Sequence, residues 1–211
     1  SLRQADLVWE VAHAGGERLL LHVELQTSAD AVMGERLAEY AIRLWRQFHL
    51  PVRSVVVYLR ETGQVADTPF IISRGGGEEG LRYPFDVVRL WQEPAERVLS
   101  MPDVGLWPLA ALMGGATEET TVAVAERIAG AALPRAERSE LTALLAVLAG
   151  LRLPRPVVDA LLRRNPMIRD LIEESSYTAL IRDEAREKGR EEGREEGREE
   201  GREEGREEGR E

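Results

Sequence analysis

The 211 residues are 43% hydrophobic, enough to bury one sizeable core or a core with a smaller helical appendage. Lys and Arg number 28 against 38 Asp and Glu, and the formal net charge of −10 has the wrong sign for a chain that wraps nucleic acid by charge alone. Cysteine is absent, which excludes a disulfide framework and a thiolate zinc site and makes the cytoplasm the default location.

No stretch approaches the roughly 20 apolar residues of a membrane span. The start, Ser1-Leu2-Arg3-Gln4, lacks the basic-then-apolar layout of a signal peptide. It also lacks an initiator Met, and Asp6 follows almost at once, so the N-terminus reads as truncated.

Residues 5–12, Ala-Asp-Leu-Val-Trp-Glu-Val-Ala, are β-rich and lead into Gly15-Gly16, after which Glu17 to Thr27 is apolar again. Two such runs around a Gly-Gly turn predict a β-hairpin. Alternation in the second run puts Leu19, Leu21, Val23 and Leu25 on one face and Leu20, His22, Glu24 and Gln26 on the other, with Leu25 expected to point into the core. From Ser28 to Phe48 the spacing turns helical, with Val32, Leu37, Tyr40, Ala41, Leu44 and Trp45 near one stripe and Ser28 or Asp30 able to cap the start. Val52 to Leu59 suits a buried, parallel strand.

Phe70-Ile71-Ile72, the Gly75-Gly76-Gly77 loop and Tyr83 to Trp91 predict peripheral strands or a hairpin. Beyond Leu106-Trp107-Pro108-Leu109 the chain becomes rich in Ala and Leu, with helices expected at Glu118–Leu133, Arg135–Leu148, Arg155–Arg164 and Met167–Arg186 in a small bundle. From Glu191 the sequence repeats Glu-Glu-Gly-Arg. A glycine every fourth position costs a helix about 1 kcal/mol each, so a solvated extension without chemistry is expected there. The domains expected are therefore a core over 1–105, a helical region over 106–185 and a repeat tail over 186–211.

Metal-assisted phosphodiester hydrolysis needs carboxylates converging on a divalent ion, with a further polar group to orient water. A hairpin registered about Gly15-Gly16 brings Asp6 close to Glu24 across two strands, where their like charges call for a cation between them. Gln26 emerges on the same face as Glu24, and the Leu25 carbonyl is a candidate third oxygen ligand. Arg36 and Tyr40, one helical turn apart, are candidate phosphate contacts. The plainer reading pairs Glu24 with Arg36 as a buried ion pair. His22 is expected simply to pack, and Trp9, Trp45, Trp91 and Trp107 to lie in the core.

Ala5-Asp6-Leu7-Val8, Leu21-His22-Val23-Glu24-Leu25-Gln26, Arg36 with Tyr40, and Leu50-Pro51-Val52 before a strand together resemble the Rpn-like recombination-promoting nucleases and transposase-like proteins of the PD-(D/E)XK nuclease superfamily. The Leu106–Leu109 stretch, the later helices and the repeat tail extend that resemblance along nearly the whole chain. It implies an α/β, restriction-endonuclease-like mixed-sheet core, here N-terminally truncated. It further implies Asp6 and Glu24 as ligands of Mg²⁺ (or Mn²⁺), Gln26 where the superfamily more often has Lys, and DNA as partner and substrate. The expected function is a metal-dependent DNA endonuclease linked to recombination or transposition, with a homodimer as the candidate assembly and no membrane partner. The alternative is a nuclease-fold scaffold without catalysis.

Overall fold

The apolar runs either side of Gly15-Gly16 form an antiparallel hairpin of β1 (Leu7–Ala12) and β2 (Arg18–Gln26), with Leu7 opposite Val23 and Ala12 opposite Arg18. Gly16 takes φ 82°, a left-handed conformation open to glycine without steric cost. The computed structural model describes residues 7–12, 15–176, 178, 179 and 190. Asp6 and almost all of the repeat tail lie outside them.

The helix expected from Ser28 begins later, as α1 (Met33–Phe48). The Asp30 carboxylate accepts the Val32 N–H at 3.0 Å, closing a side-chain turn that competes with helical hydrogen bonding. α1 buries Met33, Leu37, Ala38, Tyr40 and Ala41. It carries the chain back so that β3 (Val52–Tyr58) lies parallel to β2, with Leu20 beside Val52 and Gln26 beside Tyr58.

β4 (Phe70–Gly75) and β5 (Glu78–Tyr83) form a separate antiparallel pair. Gly75, at the end of β4, and Gly76 and Gly77 of the turn all have positive φ, which explains three consecutive glycines here. β6 (Asp86–Arg89) then joins parallel to β3, giving a mixed four-stranded sheet in the order β1-β2-β3-β6. Met33, Leu37, Val56, Tyr58 and Phe85 form the core between α1 and this sheet. A short helix, α2 (Glu96–Leu99), follows.

The chain divides into two compact units, Ser1–Pro102 with Leu109–Thr117, and Asp103–Pro108 with Glu118–Glu211. The second is helical, with α3 (Glu118–Ala129), α4 (Arg135–Gly150), α5 (Arg155–Arg163) and α6 (Pro166–Glu174). Val124, Ile128, Leu145, Leu148, Ile168 and Leu171 are buried within it. The Ser139 hydroxyl donates to the Leu171 carbonyl at 2.5 Å, and the Arg135 guanidinium grips Glu174 through two 2.7 Å bonds, so α4 and α6 are joined by polar as well as apolar contacts. Of the last helix expected, Met167–Arg186, α6 covers the part to Glu174; Ser175 interrupts it, Ser176, Thr178 and Ala179 are helical again, and residues 180–186 lie outside the described residues.

Two expectations about burial are corrected. Leu25 is 42% exposed, while Leu20, His22 and Glu24 are 3%, 0% and 0% exposed. The face of β2 carrying the polar residues is the core face, because α1 packs over it and brings the partners that allow a carboxylate and an imidazole to be buried. Trp9 and Trp45 are also not core residues, being 47% and 54% exposed. Trp9 stands on edge strand β1, and Trp45 leaves the buried stripe of α1 to pack edge-on against His49. Trp107 is buried as expected, with the Arg127 guanidinium 3.9 Å above its ring.

Candidate functional site

Glu24 organises the site. Its side chain leaves β2 on the face covered by α1 and is completely buried, an environment that costs a carboxylate several kcal/mol unless it is paired and hydrogen-bonded. Both oxygens are engaged. Arg36 Nη2 donates to Oε2 at 3.0 Å, and His22 Nε2 lies 3.3 Å from Oε1.

Arg36 reaches Glu24 because it sits one turn into α1, over the C-terminal half of β2. Its Nη1 donates to Asp30 Oδ2 at 2.7 Å, so one guanidinium bridges two carboxylates in the forked geometry that suits arginine. Burial works against the Arg36 charge, but the hydrogen bond to Asp30 and the charges of Glu24 and Asp30 outweigh it and raise the pKa above its ordinary value. The cation is therefore permanent.

His22 precedes Glu24 by two residues and shares its face. The parallel register sets it beside Ser54 on β3, and Nδ1 lies 3.0 Å from Ser54 Oγ. The Tyr83 hydroxyl, at the end of β5, donates to the same Oγ at 2.7 Å. Tyr40 of α1 stands edge-on to the imidazole with ring centroids 5.4 Å apart.

The structure thus brings Glu24, Arg36 and Tyr40 together. Tyr40 is 5% exposed, with its ring turned to His22 rather than lying on the surface. Gln26 is half-buried two residues along β2, beside Tyr58. The Leu25 side chain occupies the opposite, exposed face, and its peptide lies in the β2–β3 ladder beside Val57. The hairpin is described only as far as Leu7 opposite Val23, one residue short of Glu24.

His22, Ser54, Asp30 and Tyr83 belong to the site and were not assigned to it from the sequence. His22 carried the one usable signal, a histidine two residues before a glutamate in an otherwise apolar strand. Ser54 and Tyr83 are distant in sequence and come into reach only through the β2–β3 register and the end of β5.

Beside Asp30 opens a cleft of about 430 Å³ whose lining includes Glu35, Gln64, Asp67 and Phe70. Among the described residues no group of three or more histidine and acidic side chains is arranged to hold a metal ion, and no helix is long and apolar enough to cross a membrane. No family model matches the chain, and no curated protein or solved structure matches it significantly.

Proposed function

We propose that the chain is a metal-dependent DNA endonuclease with a restriction-endonuclease-like core, hydrolysing phosphodiester bonds in recombination or transposition. One observation carries the reading: Glu24 is a wholly buried carboxylate held rigid by Arg36 and His22 near the C-terminal end of β2. Burying a charge costs stability, and such groups concentrate at functional sites.

The donor chemistry fits a hard divalent ion. A carboxylate oxygen is the ligand type such an ion prefers, and Glu24 supplies two of them at a fixed place on β2. The resemblance to the nuclease superfamily makes Asp6, which lies outside the described residues, the second ligand in this reading, with the Leu25 carbonyl as the third. Bound Mg²⁺ or Mn²⁺ would supply Lewis acidity and an activated water. The protein's part is to hold Glu24 in one orientation, to direct water or phosphate with the Gln26 amide, and to offset negative charge with Arg36. Tyr40 supports this arrangement from behind, through His22.

Purified protein is expected to nick supercoiled DNA with Mg²⁺ or Mn²⁺ and to stop on addition of EDTA. Replacing a direct ligand should exceed the roughly 10–100-fold loss typical of outer-shell partners. Glu24→Gln and Glu24→Ala should therefore lower nicking by more than about a hundredfold. Cleavage that survives both substitutions would remove the assignment.

A second reading has its own observation. Arg36 already bridges Glu24 and Asp30 with good geometry, which is what a nuclease-fold scaffold with a structural ion pair would also display. The scaffold reading expects no metal-dependent nicking, together with a loss of stability when Arg36 is replaced.

A further inference from the structure

We infer that His22 is a positioning residue for Glu24, locked as the neutral tautomer with its proton on Nε2 by a one-way chain of hydrogen bonds running from Tyr83 through Ser54. The positioning role rests on Glu24 being the functional carboxylate. The tautomer does not.

The direction of the chain follows from what each group can donate. Tyr83 gives its phenolic proton to Ser54 Oγ at 2.7 Å. Ser54 is 1% exposed, and the described acceptor within reach of its own proton is His22 Nδ1, at 3.0 Å. A hydroxyl that accepts from Tyr83 and donates to Nδ1 has both roles filled. Nδ1 is then the bare nitrogen, and a neutral imidazole with bare Nδ1 carries its proton on Nε2. Nε2 faces Glu24 Oε1 at 3.3 Å, where an ionised carboxylate can only accept.

The two other forms of the ring each waste a group. With the proton on Nδ1 alone, a bare Nε2 lone pair would face a carboxylate. With both nitrogens protonated, Ser54 would receive two protons and lose the acceptor for its own in a buried setting. Burial also raises the Tyr83 pKa, an effect its bond to Ser54 only partly offsets, so the phenol remains a donor at neutral pH. The edge of Tyr40 against the imidazole limits its rotation. Oε1 is thus held by His22 and Oε2 by Arg36, leaving the carboxylate one orientation. Carboxylates that ligate metal ions are themselves held by outer-shell hydrogen bonds, and His22 is placed to supply one.

The test uses the full chain with ¹⁵N-labelled histidine at neutral pH. Two-bond nitrogen–proton spectra distinguish the three ring forms, and the His22 signals are identified by their loss in His22→Gln. The expected pattern is Nε2 protonated and Nδ1 bare, with the Nδ1 resonance moving toward that of an unbonded nitrogen in Ser54→Ala. A ring protonated on Nδ1 alone or on both nitrogens would overturn the inference. Calorimetric titration with Mn²⁺ supplies the positioning readout. His22→Ala should bind about 10–100-fold more weakly, and His22→Gln, whose amide restores a donor near the Nε2 position, should recover most of that loss. His22→Ala that keeps its circular dichroism spectrum and binds Mn²⁺ like the parent would also overturn it. An unsubstituted chain that binds no Mn²⁺ would instead sink the metal reading of Glu24, because the nitrogen spectra report the tautomer without any ion.

Discussion

Glu24 and Arg36 depend on each other unequally, and substitution should reveal it. Arg36→Met leaves a buried carboxylate without its cation and is expected to cost about 3–5 kcal/mol, measured by urea unfolding. Glu24→Gln keeps the shape and one of the two accepting oxygens, and because it leaves no buried charge unpaired it should cost less. A larger loss for Glu24→Gln than for Arg36→Met would contradict this account of the buried pair. Tyr83 adds a pH dependence. Burial raises its pKa above 10.0 despite the bond to Ser54, so its contribution to stability is fully present below pH 10.0 and is lost as pH climbs through the higher folded value. Tyr83→Phe should flatten the alkaline limb of the unfolding midpoint, and a phenolate titration should show one tyrosine ionising late. The sequence made Glu24 legible because a carboxylate in an apolar strand needs a reason. It left the inward face ambiguous, since Leu19, Leu21, Val23 and Leu25 look more core-like than Leu20, His22, Glu24 and Gln26. Only the covering helix decides between the two faces, through Arg36 and Tyr40.

α1 touches the β4–β5 pair as well as the sheet, and Gly34 is where it comes close. A Cβ at position 34 would meet the Phe70 side chain at 3.1 Å. Gly34→Ala would gain up to about 1 kcal/mol of helix propensity if the ring yields. Gly34→Leu overpacks the contact and should destabilise by about 1–3 kcal/mol, read as a lower thermal midpoint. A neutral Gly34→Leu would mean that β4 is not held against α1. The elements themselves were largely readable: hairpin, crossover helix, Val-rich parallel strand and four later helices all have strong local patterns. Their starts were less so. Asp30 looks like a helix cap in the sequence, yet it accepts from Val32 N–H and from Arg36 at once, and the helix waits until Met33. The exposure of Trp9 and Trp45 was not legible, because hydrophobicity alone does not tell an edge strand from a central one, or the margin of a helical stripe from its middle.

Across the whole molecule the net charge of −10 must shape any encounter with DNA. Neutralising Z phosphates gives a salt slope of about −0.9Z, and a chain of this charge should engage few of them. A slope steeper than about −5 in the logarithm of the association constant against log salt would mean a basic surface that the composition does not suggest. The site itself is economical in chain length. His22, Glu24, Asp30, Arg36, Tyr40 and Ser54 all fall within β2, the crossover and β3, and Tyr83 alone is contributed from further along. The exposed Gly75-Gly76-Gly77 turn lies between Ser54 and Tyr83. A single proteolytic cut at that turn would leave the carboxylate and its cation on one covalent fragment and put Tyr83 on the other. Activity retained by the nicked protein, and lost only when the fragments are separated, would show that the last link of the proton chain is held by packing rather than by the continuity of the backbone.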